Sequence, residues 1–238
     1  HSFHGRAHAP AGALGKIMRF TGTYDQDQLL DESLPITWRH INKLAGCGAL
    51  GDLGSHLLSI SQFIMGDITK VNAVATTVFP KRPKSAGSTE MVDVENEDIM
   101  TFMAEYANGA IGQIACSRVA TGRKNYLTYE IQGTKGSVRY DLERMGEVQV
   151  YFQSDNERDR GFRTVLLNPL MKGYSAFQPA GGISIAYNDM KILEVHALFD
   201  AITNGADYVT DFEFGYKIDR TVAAVIESSK THEWVDVK

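Results

Sequence analysis

Cysteine is scarce in this sequence: Cys47 and Cys116 are the two present among 238 residues. Two thiols this far apart in sequence make neither a disulfide framework nor a zinc knuckle, and they suit a reducing cytoplasm. Also lacking is any apolar run long enough to span a bilayer, and the first residues have no apolar core of a secretory signal. A soluble protein that is not exported is expected. No block of Lys and Arg stands out, and the formal net charge is −5. That leaves no electrostatic footprint for nucleic acid or for an anionic membrane surface. Internal repeats and low-complexity tracts are missing as well.

What is present is an ordinary globular composition, 43% hydrophobic and 22% charged, with material for a substantial core. One large domain is expected over residues 12–238, with residues 1–11 set aside as a leader or truncated edge. His1, His4 and His8 in that edge are a conceivable metal cluster, which a leader explains more cheaply.

The alternation from Lys16 to Tyr24 predicts a half-buried strand. After an irregular stretch, a glycine-rich loop runs into a helical period. Leu53, Leu57, Ile60 and Ile64 share one face of it, Asp52, His56, Ser59 and Phe63 another, and Gly66 is a natural stop. A strand is expected over Val71–Phe79, then a mobile loop from Pro80 to about Glu95. Strands over Ile99–Tyr106 and Ala110–Ser117 flank Asn108-Gly109, a tight-hairpin pair. Further strands are expected at Tyr126–Gln132, Ser137–Asp141, Glu147–Phe152 and Arg163–Leu167, with short turns that require antiparallel neighbours. Near the C-terminus, Ile192, Val195, Phe199 and Ile202 predict a buried helical stripe closed by Asn204-Gly205. Thr210 and Glu213 form a possible capping box for a second helix carrying Phe214, Ile218, Val222 and Val225, and a short strand at Glu233–Val237 follows. The class is α+β, helices packed on one face of a large, open, mostly antiparallel sheet.

Gly46, Gly48 and Gly51 satisfy the Gly-x-Gly-x-x-Gly pattern of dinucleotide binding, with Asp67 at about the expected distance. A working fingerprint follows an apolar strand and places its acidic residue after the second strand. Here Trp38–Leu44 precedes the glycines and Asp67 comes before the next strand, so no cofactor-binding residues are assigned to this chain. The glycines are expected instead to let a ligand or a neighbouring domain approach the backbone.

Asp52 and His56, four apart at a helix start, place a carboxylate and an imidazole about one turn apart. An imidazole with an unperturbed pKa of about 6.5 can take a hydroxyl proton near neutrality, and a carboxylate can orient it. By spacing alone, the pair is also compatible with an acidic first turn beside a surface or core histidine.

The stretch from Trp38-Arg39 through AGCGALGDLGSHLLSISQFIMGDI resembles the signature of the Gfo/Idh/MocA oxidoreductases. GALGKI from Gly12, ANGAIGQIACSRVATGRKN, GTKGSVRYDLER, NDMKILEVHALFDAITNG and the C-terminal segment resemble later parts of the same family. The resemblance implies the C-terminal α/β domain of an enzyme whose N-terminal Rossmann domain holds NAD or NADP, with no cofactor on this chain alone. It implies His56 as the proton-transfer residue, Asp52 as its partner, and Trp38 and Arg39 near the pocket. Arg123, Asn125, Tyr187 and Asn188 are implied as further contacts to a polyhydroxylated substrate, a sugar or cyclitol. Arg123 and Asn125 read equally as exposed hairpin residues. Expected partners are the Rossmann domain and further copies, as a homo-dimer or tetramer through the open sheet face. Departures are the missing Rossmann domain with its catalytic lysine, which implies no turnover by this chain alone, and Ser59 where many members carry Asp. The alternatives are a non-catalytic sugar-binding or oligomerisation module and, lacking further ligands at useful spacing, a metal hydrolase built on Asp52 and His56.

Overall fold

The computed structural model describes residues 12–171 and 173–238. Among the described residues, eleven strands and three helices longer than one turn follow one another as β1 (Ile17–Asp25), α1 (Ser55–Met65), β2 (Ile68–Thr76), β3 (Lys81–Pro83), β4 (Met91–Asp93), β5 (Ile99–Tyr106), β6 (Ile111–Ser117), β7 (Tyr126–Gly133), β8 (Gly136–Asp141), β9 (Glu147–Phe152), β10 (Arg163–Leu166), α2 (Tyr187–Asn204), α3 (Phe212–Thr231) and β11 (Val235–Asp236), with a single α-helical turn at Asn42–Ala45. Nine strands form one sheet in the order β10-β9-β8-β7-β1-β6-β5-β2-β11, and β3 pairs with β4 in a separate ribbon. The β10–β9, β9–β8, β6–β5, β5–β2 and β2–β11 pairs are antiparallel. This is the α+β sheet architecture that the run of short-turned strands implies.

The chain divides into two compact units. Residues 12–19 with Tyr129–Lys217 form one, and Phe20–Thr128 with Ile218–Lys238 form the other. In the second unit, alternation along β5 sends Met100, Phe102, Ala104 and Tyr106 inward and Thr101, Met103 and Glu105 outward. Helix α1 lies over the inward face: a Cβ on Gly22 of β1 would meet Leu57, and one on Gly54 would meet Cys116 of β6. Helix α3 joins the same layer, its Thr221 hydroxyl accepting from Gln62 of α1 at 3.1 Å and its Ser228 hydroxyl accepting from the Ala73 amide of β2 at 2.9 Å. The opposite face of the sheet leaves Val74, Met103 and Ile111 half exposed or more. Among the described residues no helix is long and apolar enough to cross a membrane.

Four expectations about these elements need correction. The stretch after Pro80 is not a plain loop: β3 and β4 pair there, and Arg82 is fully buried. Its guanidinium donates to the carbonyls of Leu29, Asp31 and Leu34, which gives a buried cation three acceptors. Second, the apolar stripe of α2 exists but is not buried: Ile192, Val195, Phe199 and Ile202 are 51% to 70% exposed, because no described residue covers them. Third, Asp211, not Thr210, caps α3, its carboxylate accepting from the Phe214 amide at 2.8 Å. The strand expected over Val71–Phe79 also begins and ends earlier, at Ile68–Thr76. His1, His4 and His8 lie outside the described residues.

Candidate active site

Trp38 and Arg39 sit on a single 3-10 turn, Trp38–His40, whose geometry is fixed from inside. The Thr37 amide donates to the His40 Nδ1 at 3.0 Å, so the neutral imidazole carries its proton on Nε2. That Nε2 is buried and has no hydrogen-bond partner among the described residues. Burial, reinforced by the Arg118 and Arg82 guanidiniums, holds His40 below the ordinary imidazole range. The Arg39 carbonyl accepts from the Asn96 side chain at 2.9 Å and from Arg118 at 3.3 Å. Arg118 in turn pairs with Asp98 at 2.9 Å, both groups wholly buried. This network leaves the Arg39 side chain reaching outward over the Trp38 ring, 4.6 Å from its centroid.

Asp52 lies on a one-turn π-helix, Leu50–Gly54, that opens α1. The Ser55 amide donates to the Leu50 carbonyl, the wider reach that defines such a turn. The Asp52 carboxylate meets the Arg39 guanidinium at 3.5 Å, with both side chains part-exposed. A pair in contact with water contributes only about 0.2–1 kcal/mol; its effect is to fix the direction of a carboxylate. His56 follows in the first turn of α1 and is exposed. The Tyr24 ring of β1 stands edge-on to its imidazole, with centroids 5.8 Å apart.

Tyr24 also reaches Asn125. Its hydroxyl donates to the Asn125 Oδ1 at 2.7 Å, and the Gln26 amide donates to the same oxygen at 3.0 Å. With Oδ1 engaged by two donors, Asn125 turns its NH2 group, a donor, away from Tyr24. Arg123 stacks on Tyr126 at 3.5 Å. Its charge opposes the larger effect of burial, which raises the Asp25 carboxyl above its usual range.

Trp38, Arg39 and Asp52 thus form one chain of contacts, and His56, Tyr24 and Asn125 another, in the same compact unit. Tyr187 and Asn188 belong to the other unit, where they open α2. Sequence reasoning missed Tyr24, Gln26 and the run Asn96-Glu97-Asp98, which Glu95 precedes. Four consecutive polar residues directly before the alternating strand β5 were the available signal for that run.

The glycine-rich loop does not suit a dinucleotide. Its amides at Gly48 and Leu50 donate to the Glu97 carboxylate, at 2.9–3.0 Å and 2.9 Å, and the Ala49 amide donates to the Glu97 carbonyl at 3.0 Å. A pyrophosphate needs those N–H groups and would face a carboxylate already there. The expectation that a ligand or neighbouring domain approaches the backbone needs correction at Gly48 alone. A Cβ on Gly48 would lie 1.9 Å from the Glu97 carbonyl oxygen, so the close approach is by the chain itself. Among the described residues no group of three or more His, Cys, Asp or Glu side chains could hold a metal ion.

Residues 6–139 match the family model described as the GFO/IDH/MocA C-terminal domain. The chain is 39% identical over 239 residues to levoglucosan dehydrogenase of Pseudarthrobacter phenanthrenivorans, an alignment that takes in 95% of this chain and 61% of that protein. A solved structure of levoglucosan dehydrogenase in complex with NADH and levoglucosan superposes with a TM-score of 0.91 at 38% identity, covering 96% of this chain and 60% of the other. The NAD binding oxidoreductase from Klebsiella pneumoniae gives the same TM-score of 0.91 at 39% identity, covering 96% and 61%. This chain therefore spans about three fifths of the length of these relatives. On the family match and the shared sheet, the chain belongs to the Gfo/Idh/MocA oxidoreductases, of which it is a C-terminal domain.

Proposed function

We propose that this chain is the substrate-holding, proton-transferring half of an NAD(P)-dependent oxidoreductase that moves hydride between nicotinamide and a hydroxyl-bearing carbon of a sugar or cyclitol. The observation that carries the reading is the solvent-reachable His56 imidazole, braced by the Tyr24 ring one turn beyond an Asp52 carboxylate that Arg39 holds in place. Oxidising an alcohol requires loss of its hydroxyl proton. In the proposed reaction the neutral His56 accepts that proton, and the Asp52 carboxylate favours the imidazolium that results. In the reverse direction the imidazolium returns it. Arg39 and Asn125 supply hydrogen-bond donors for the oxygens of a polyol. The exposed Trp38 ring suits the apolar C–H face of a sugar. The roles of Arg123, Tyr187 and Asn188 stand as proposed further substrate contacts.

A bound nicotinamide would supply the two-electron chemistry. In this chain's glycine loop the Gly48, Ala49 and Leu50 amides are already taken by Glu97, so the proposal places the dinucleotide on a separate Rossmann unit and expects no turnover from this chain alone. A levoglucosan-like anhydrosugar is the first substrate to try, because the relative with which 95% of the chain aligns is named for it. The apolar residues on the open sheet face, Val74, Met103 and Ile111, favour a second, compatible reading in which this domain also assembles as a homo-dimer or tetramer. The two free thiols, Cys47 and Cys116, accord with a cytoplasmic setting.

The test is His56→Ala in the complete natural protein that carries this chain, assayed with NAD+ and NADP+ against levoglucosan and a panel of sugars and cyclitols. Turnover is expected to fall by about 10²–10⁴-fold, the usual contribution of a positioned acid/base, with assembly retained by size-exclusion chromatography. Unchanged turnover defeats the reading.

A further inference from the structure

We propose that Glu97 is a positioning residue for the Asp52/His56 pair, holding the π-helical turn that carries Asp52 in its working register. The inference rests on the function proposed above and goes beyond it, because Glu97 touches none of the candidate substrate groups. It acts through three successive backbone amides. The carboxylate accepts from Gly48 through both oxygens, at 3.0 and 2.9 Å, and from Leu50 at 2.9 Å, while the Glu97 carbonyl takes the intervening Ala49 amide at 3.0 Å. An internal anion therefore occupies the amino end of the π-turn and α1, where unpaired amides and the helix dipole favour negative charge.

The grip passes directly to Asp52. Its own amide donates to the Gly48 carbonyl at 3.2 Å, so moving Gly48 moves Asp52. The neighbours of Glu97 hold the other partner: Asn96 donates to the Arg39 carbonyl at 2.9 Å, and Asp98 fixes Arg118, which donates to that same carbonyl at 3.3 Å. Three consecutive residues thus determine where the backbones bearing Arg39 and Asp52 stand, and with them the 3.5 Å contact between the two side chains. The contact depends on the identity of residue 48, since any side chain there would collide with the Glu97 backbone. A carboxylate suits this place better than an amide, because Gln at 97 would turn an NH2 donor toward an N–H donor.

The experiment compares the complete natural protein with its Glu97→Gln and His56→Ala variants, reading amide hydrogen exchange and steady-state kinetics. In the unsubstituted protein the Gly48, Ala49 and Leu50 amides are expected to exchange at least a hundredfold more slowly than in an unstructured peptide. This readout needs no variant to fold, and absent protection at Gly48 and Leu50 overturns the proposal. In Glu97→Gln, exchange at Gly48 and Leu50 is expected to speed up at least tenfold. The kcat per folded molecule is expected to fall at least tenfold, while the dinucleotide KM stays within twofold. A merely structural role would lower the folded fraction and leave kcat per folded molecule unchanged. Unchanged exchange, or kcat within twofold of wild type, while His56→Ala is inactive overturns the role of Glu97 and leaves the proposed function standing. Full turnover by His56→Ala overturns the proposed function itself and, with it, the role of Glu97. Glu95→Gln serves as a control: Glu95 holds the Asn42 amide at 2.6 Å rather than the π-turn, and its kcat is expected within twofold of wild type.

Discussion

Replacing Gly48 with Ala isolates the contact on which the π-turn is built. The added Cβ would stand 1.9 Å from the Glu97 carbonyl oxygen, 2.9 Å from its carbon and 3.1 Å from the Glu97 nitrogen, all of them backbone atoms with no rotamer to change. The loop must therefore lift away from Glu97, which strains or breaks the amide contacts at Gly48, Ala49 and Leu50. Overpacking a tight site costs about 1–3 kcal/mol, and each net hydrogen bond contributes about 0.5–1.5 kcal/mol. Together these give a destabilisation of roughly 3–6 kcal/mol, a large part of the ~5–15 kcal/mol that holds a typical domain folded. For a domain of this size the melting temperature should fall by roughly 6–24 °C. Gly51→Ala is the matched control. Its Cβ meets only the Cys47 Sγ, at 2.8 Å, and a thiol can rotate aside, so a loss of about 1 kcal/mol or less is expected. Thermal and urea melts of both variants by circular dichroism provide the assay. A Gly48→Ala midpoint within 2 °C of wild type, to be read against the roughly 6–24 °C expected, or no lower than that of Gly51→Ala, refutes the argument.

Asp98→Asn should destabilise the fold by about 3–5 kcal/mol, because it strands the Arg118 charge at a wholly buried position; a urea midpoint close to wild type would contradict this. His40 should give stability a pH dependence. Its folded-state pKa lies below the unfolded value of about 6.5, so on acidification the unfolded chain takes up a proton first. The stabilisation is therefore complete above about pH 6.5 and is lost as pH falls toward the folded pKa. Urea midpoints measured from pH 5 to 7.5 should rise with pH, and His40→Gln should flatten that slope; equal slopes would count against it.

Local periodicity carried much of the fold. The alternation in Ile99–Tyr106 and Glu147–Phe152 names β5 and β9 to the residue, and the helical spacing of Leu53, Leu57 and Ile60 places Asp52 and His56 at the exposed start of α1. What escaped was set by partners distant in sequence. Glu97 and Gly48 are 49 residues apart, and Arg82 reaches back 53 residues to Leu29, separations that no local pattern encodes. Likewise Tyr24 reads as one more inward strand residue, and its bond to Asn125 spans 101 positions. The stripe on α2 shows the converse limit. Periodicity reports which side of a helix is apolar, and burial further requires a surface to meet it.

The buried Arg82 gives the segment between β1 and the Trp38 turn an unusual kind of order. Carbonyls of Leu29, Asp31 and Leu34 converge on one planar cation, which does for this irregular chain what a strand neighbour does for a ladder. Because the cation is anchored in the β3–β4 ribbon, and the Ile36 amide donates to the Pro83 carbonyl at 2.8 Å, the ribbon and the segment are fastened together. A protease should find neither an easy cut, and loosening one should release the other.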